Sequence, residues 1–418
     1  MIATSSVASG FAVSRFGLSR VWTHARAVLL AAAVCLLAAG CTGGAPTQTG
    51  SQAFSSSAAG KAAASTSATL APLVKLAVFP TDRSTGVDPT APVRVSVVNG
   101  TITTVTLRAP DGFSVPGTLT TDGSSWVSTA PRLLYDTGYK VVVHAKQGST
   151  PVTLSSAFTT LAPKQLMSVV SVLPLAGWTV GTAMPVVLRL SADVPPAQRA
   201  AVEAAVHVVG TAPDGHTVAG KFLWLSPTEL HWRPSVLWPV GTKVHIATDF
   251  DGRNLGAGVW GLGTGSESFS IFGSDHKIVV DLVKDTLTSW RNGKVEKVFP
   301  VTGGKPGWDT RSGNKVVIAK LPVVTMDAAS LRIPKGTADY YNLTVKFALR
   351  MTWSGEFLHA APWSVASQGK SNVSHGCVGM STVNAQWLFN NTRVGDLVQV
   401  TGTERSLEPG NGWTDWNL

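Results

Sequence analysis

The stretch VSHGCVGMS, Val373–Ser381, holds the last of three cysteines in a chain of 418 residues; the other two, Cys35 and Cys41, lie near the N-terminus. A thiol does chemistry as the thiolate, and only a few per cent of an unperturbed thiol is ionised at neutral pH, so Cys377 needs a base. Two histidines are close in sequence. His375 stands two positions away across a tight Gly turn. His359 lies 18 residues upstream in FLHAAPWS, at the end of the alternating run FALRMTWSGEFLHA. A strand leading to His359 and a loop returning to Ser374 would bring imidazole and thiol together, which is the arrangement of a cysteine nucleophile. His144, His207, His216, His231, His245 and His276 are scattered without metal-ligand spacing, and no HExxH or CxxC motif occurs, so no metal is expected. No Gly-rich phosphate loop follows a strand and opens a helix, and no cofactor is expected.

The elements that must hold this site are strands. Charged residues make up only 14% of the chain and apolar ones 44%, so Ser, Thr, Asn, Gln and Gly supply much of the polar surface, as suits an extracellular β-rich protein. The formal charge of +10 is scattered, without a basic block. It favours anionic surroundings such as a cell wall or membrane surface and speaks against nucleic acid. Residues 1–41 read as an export signal, in which Arg15, Arg20 and Arg26 precede the apolar run AVLLAAAVCLLAAG. Its end, LAAGC, resembles a bacterial lipobox, which implies that Cys41 is the lipidated first residue of the mature chain and anchors it to the membrane. Ala38, not Leu, stands three before that Cys, so plain cleavage and an uncleaved anchor stay open. Residues 42–71 have almost no large apolar side chains and read as a flexible tether.

From 72 to 162, runs such as VRVSVVNG, ITTVTLRAP and YKVVVHA alternate between turn clusters and predict an antiparallel β-sandwich. Residues 163–272 predict a second strand-rich domain, with Trp224, Trp232 and Trp238 in its core and Pro195–Val206 as one short helix. From 273 to 402 the strand signal continues. RNGK, Arg291–Lys294, marks a two-residue hairpin turn, and a helix over Asn384–Asn391 precedes a final strand. The Trp-containing tail, 403–418, is expected to dock on that last domain.

The segment HAAPWSVASQGKSNVSHGCVGMS, His359–Ser381, resembles the active-site signature of the L,D-transpeptidases (YkuD-type catalytic domain), cysteine enzymes that cross-link bacterial peptidoglycan. That signature is a His, a spacer, then Ser or Thr followed by His-Gly-Cys. Here these are His359, Ser374, His375, Gly376 and Cys377. With the signal and tail, the chain resembles the mycobacterial and actinobacterial branch, which implies a mainly β fold. It further implies two immunoglobulin-like sandwiches followed by a β-rich catalytic domain with one or two short helices.

The resemblance implies acyl transfer in two halves. Cys377 attacks the amide before the terminal D-Ala of a peptidoglycan tetrapeptide stem, D-Ala leaves, and a second stem's diaminopimelate amine resolves the thioester into a 3→3 cross-link. His359 would be the base, with the Ala360 carbonyl orienting its ring; His375 would join Cys377 and His359 as a catalytic residue, and with Ser374 it would shape the pocket through hydrogen bonds. The N–H groups around Gly376 and Cys377, with Tyr341, would form the oxyanion site, and Met326 and Trp363 would line the cleft. β-Lactams of the carbapenem class would be covalent inhibitors. The sequence departs from the family at Ala360, often Ser, and at Gly379, usually Asn, which implies a looser loop after the nucleophile. The alternatives are the same acyl-enzyme resolved by water or another amine, as a carboxypeptidase, endopeptidase or protein-attaching enzyme, and a wall-binding lipoprotein with a decayed site.

Overall fold

A computed structural model describes residues 72–418. The export signal over 1–41, lipidation of Cys41 and the tether over 42–71 lie outside the described residues.

The first sandwich packs a four-stranded sheet on a five-stranded one. Period-two alternation builds it. Arg94–Val98 turns Val95 and Val97 inward, and Gly138–Gln147 does the same with Tyr139, Val141, Val143 and Ala145. These side chains meet Leu107, Trp126 and Phe158 in one core.

In the second sandwich two four-stranded sheets enclose Val186, Leu188, Leu230 and Ile246. Trp232 and Trp238 are buried there, 5.3 Å apart, whereas Trp224 is only partly buried and its indole N–H donates to Glu203. The helix expected over Pro195–Val206 is shorter. A 3-10 turn, Pro196–Gln198, leads into Arg199–Glu203, and Val206 already belongs to a strand paired with Lys243–Asp249. That pairing overrides the helix preference of the alanines.

The last domain is built on two sheets and the helix Thr382–Asn391. One sheet runs Lys294–Pro300, Thr286–Arg291, His276–Asp281, Leu397–Thr401, Gly313–Val316; the other runs Ala319–Asp327, Asn342–Arg350, Phe357–Ala360, Val378–Met380. Asn292 and Gly293, at φ 49° and 74°, form the tight hairpin turn. Ile278, Val280, Phe299, Leu358, Met380 and Leu388 share the core. For the site the decisive pairing is parallel: Phe357–Ala360 lies beside Val378–Met380, with His359 opposite Gly379. Parallel neighbours need a long crossover, and here the crossover is the segment that ends in His-Gly-Cys.

The two domain junctions differ. Between the sandwiches the contact mixes polar and aromatic groups: Arg132 pairs with Asp251 at 2.6 Å, the Tyr135 hydroxyl donates to Gly261 O at 2.7 Å, and the Tyr135 ring meets Trp260 edge-on at 6.0 Å. The second sandwich and the last domain instead share one core, in which Val316, Ile318, Leu397 and Trp413 join Met184, Trp232 and Trp238. The tail packs into this seam rather than on the last domain alone, because both sides of the seam offer it partners. Trp416 donates to Ala183 O at 2.7 Å beneath the Arg233 guanidinium, and Trp413 meets Trp353 edge-on. His231 and Asp415, both fully buried, hydrogen-bond at 2.9 Å, and the other ring nitrogen of His231 reaches Glu229 at 2.9 Å. Burial works against charge on His231, but the bonds from Asp415 and Glu229 outweigh it and raise its pKa.

Candidate active site

Cys377 stands one residue before the strand Val378–Met380, and His359 lies in the strand beside it. Both line one cleft of about 190 Å³, together with Thr302, Met326, Tyr341, Trp363, Ser374 and His375. Wider clefts, of about 540 Å³ by Arg83, Arg108 and Tyr139 and about 520 Å³ by Ser312 and Asn417, are lined by neither cysteine nor histidine.

His359 is 5% exposed. Its Nδ1 lies 2.8 Å from Ala360 O. A carbonyl only accepts, so Nδ1 carries the proton and Nε2 is the basic nitrogen. Burial pushes the His359 pKa below the ordinary value, against the pull of the Ala360 bond, so the ring is neutral at pH 7. The Trp363 ring lies 6.1 Å from it.

Cys377 is half-buried and packs with Met326, Val345 and Phe357. Its thiol donates to Gly355 O at 3.5 Å. Burial pushes its pKa up to about 12; the Phe357 N–H and Lys315 pull the other way, and the Glu356 carboxylate adds to the rise. The resting pair is therefore a neutral thiol and a neutral imidazole, not a preformed thiolate–imidazolium pair.

The turn that delivers the thiol depends on Gly376, whose φ of 118° is open to Gly and strained for other residues. Ser374 clasps this turn: its hydroxyl donates to Cys377 O at 2.6 Å and accepts the Gly376 N–H at 3.0 Å. The expectation that the Gly376 N–H faces an oxyanion is corrected here, because that N–H is committed to Ser374. Tyr341 precedes the strand Asn342–Arg350 and lines the cleft. Burial, with the nearby Cys377 and Asp327, pushes its hydroxyl up to about 12, so it remains a donor. His375 lies against Trp308 and Tyr341, at ring distances of 5.1 and 5.0 Å, and its Nε2 is 3.3 Å from Asp339. Asp339 also pairs with Lys305 at 2.6 Å.

Gly379 overturns the looser-loop expectation. It lies within a strand, its N–H donates to Thr302 O at 2.9 Å, and its carbonyl accepts from Thr302 N–H at 3.0 Å. A Cβ there would sit 2.9 Å from Ala361 Cβ and 3.2 Å from Thr302 Cγ2, so any side chain would have to push its neighbours aside. Sequence reasoning missed Thr302 and Ala361 as walls of the cleft, and Asp339 and Trp308 as partners of His375. It also passed over Glu356, although a carboxylate three residues before His359 in a run that buries is a visible signal.

Residues 275–400 match the L,D-transpeptidase catalytic domain family, and residues 84–254 match the bacterial Ig domain family. L,D-transpeptidase 2 of Mycobacterium tuberculosis is 34% identical over 345 residues, which cover 82% of this chain and 82% of that protein. L,D-transpeptidase 1 of the same species is 36% identical over 264 residues, 63% of this chain and 96% of that protein. A solved structure of LD transpeptidase LdtMt1 in complex with imipenem aligns with a TM-score of 0.49 and 35% identity, covering 56% of this chain and 99% of that one.

Proposed function

This chain belongs to the L,D-transpeptidase family, and from that premise we propose that it cross-links peptidoglycan stems with Cys377 as nucleophile and His359 as base. The observation that carries the reading is the single cleft that holds the thiol and an imidazole whose Nδ1 is already tied to Ala360 O. In the first half-reaction the Cys377 proton passes to His359 Nε2 as sulfur attacks the carbonyl carbon before the terminal D-Ala. The tetrahedral oxyanion is met by the Tyr341 hydroxyl and the Cys377 N–H. The C–N bond breaks, His359 returns its proton to the departing amine, and a thioester remains. In the second, the side-chain amine of an acceptor stem's diaminopimelate gives a proton to His359 and attacks the thioester. The thiol leaves with that proton, and a 3→3 link has formed. A carbapenem offers the same thiol a strained amide, whose opening leaves a stable thioester.

The proposal extends to place. The basic and apolar run over 1–41 and the LAAGC ending support export and a lipid anchor at Cys41, on the outer face of the membrane. Residues 42–71, fully extended, reach at most roughly 100 Å, which would carry the enzyme into the wall. The test is intact mass after incubation with a carbapenem and with a tetrapeptide stem, beside Cys377→Ala. Adducts and D-Ala release on the wild type alone support the proposal; their absence from folded protein rejects it.

A further inference from the structure

Behind the cysteine turn lies a buried charged cluster that the chemistry above does not use. Lys315 Nζ is 2.5 Å from Glu356 Oε2, with the two side chains 0% and 5% exposed. The other carboxylate oxygen accepts from both the backbone N–H and the guanidinium of Arg311, each at 3.0 Å. Arg311 continues to Glu408 at 2.5 Å, Glu408 accepts from Asn411 at 3.0 Å, and Asn411 bonds both the N–H and the hydroxyl of Ser354 at 2.9 Å. The turn from Thr352 to Glu356 is thus braced by the cluster on one side and the tail on the other. This turn presents the Gly355 carbonyl to the Cys377 thiol. The Glu356 side chain also runs under Gly376, where a Cβ would lie 3.8 Å from its Cγ and Oε1. Apolar side chains of similar volume often fill a core as well as a buried ion pair, or better. A charge pair bonded this fully and set against the nucleophile therefore points to a role beyond filling.

We propose that the Lys315–Glu356–Arg311 cluster positions the nucleophile: it fixes the Gly355 carbonyl that holds the thiol in its protonated resting pose, and so governs how readily His359 takes the proton. Glu356 and Lys315 act on the thiol through the Gly355 turn and through the field of their opposite charges, and are positioning residues. The two charges bear on the thiol in opposite senses. The other titratable groups around the sulfur, His359, His375 and Tyr341, stay unchanged in the test.

The inference rests on Cys377 as the nucleophile, which the carbapenem adduct and its loss in Cys377→Ala test separately. Alkylation of the full chain by iodoacetamide is followed by intact mass from neutral to alkaline pH, with Cys377→Ala as blank. Glu356→Gln is expected to alkylate faster than wild type and Lys315→Met slower, each by about threefold or more, since one unit of thiol pKa is a factor of ten in thiolate. A merely structural brace would not move the two in opposite directions. Because Glu356→Gln leaves the buried Lys315 without its partner and Lys315→Met leaves Glu356 to Arg311 alone, the double variant Lys315→Met/Glu356→Leu decides if a single fails to fold. It should melt near the wild type yet be acylated by imipenem roughly ten- to a hundredfold more slowly. Folded single variants with wild-type alkylation rates, or a folded double with the wild-type acylation rate, overturn the proposal.

Discussion

Gly379→Ala tests how tightly the strand after the nucleophile is closed. Position 379 has no positive φ, so alanine fits the backbone and the only obstacle is space. The added methyl would stand 2.9 Å from Ala361 Cβ, 3.2 Å from Thr302 Cγ2 and 3.6 Å from Ser364 Oγ. Ala361 cannot swing aside, because its Cβ is fixed to a backbone whose N–H donates to Met380 O at 2.8 Å. Overpacking of this kind costs about 1–3 kcal/mol. At roughly 2–4 °C per kcal/mol, the melting temperature should fall by about 2–12 °C. The strain lies two residues from Cys377, so imipenem acylation, read by intact mass, should slow as well. Gly379→Asn should do worse than alanine, despite the family's usual Asn. Ala361→Gly removes the opposing methyl, and Gly379→Ala/Ala361→Gly should recover both stability and acylation, with a coupling energy above about 0.5 kcal/mol. If the two changes simply add, the steric account is wrong.

Two further expectations concern protons and the seam. Burial depresses His359, so the acid limb of the imipenem acylation rate should lie below the ordinary histidine value of about 6.5. Below that pH the unfolded chain takes up a proton that the folded ring resists, so stability should also decline as pH falls through that value. A pH–rate profile with its limb at or above the ordinary value would contradict a neutral resting imidazole. At the seam, Asp415→Ala leaves the fully buried His231 with Glu229 alone. Breaking such a pair costs about 3–5 kcal/mol, measurable by urea unfolding, and a loss under about 1 kcal/mol would sink the argument. Because His231 is raised, its contribution is present below about pH 6.5 and fades as pH climbs through the folded value, a slope that Asp415→Ala should flatten.

The sandwich strands were legible because alternation is local: Val95 and Val97 face inward wherever their strand pairs. The hairpin at Asn292-Gly293 was legible because its two residues carry their own φ preference. That His359 and Cys377 line one cleft was open to sequence reading because the crossover between parallel strands keeps both ends close in sequence. The rest depends on distant partners. The helix expected over Pro195–Val206 yields to a strand partner near residue 246. The closed niche at Gly379 depends on Thr302, and the Glu356 brace reaches 41 positions back to Lys315. The commitment of the Gly376 N–H to Ser374 is short in range but rests on one hydroxyl rotamer, which a residue pattern does not specify.

The shared seam also orders events in time. A chain made from its N-terminus can close the first sandwich on itself, since that core draws only on residues before 163. The second sandwich cannot finish: His231 waits 184 positions for Asp415, and the Trp413 contribution to the same core arrives just as late. The nucleophile turn waits too, because Glu408 and Asn411 brace Arg311 and Ser354. A product cut short before residue 408 carries the thiol and the imidazole without the braces that set them. Delivery of the last residues is thereby what completes the bonds of Arg311 and Ser354 to Glu408 and Asn411 behind the thiol.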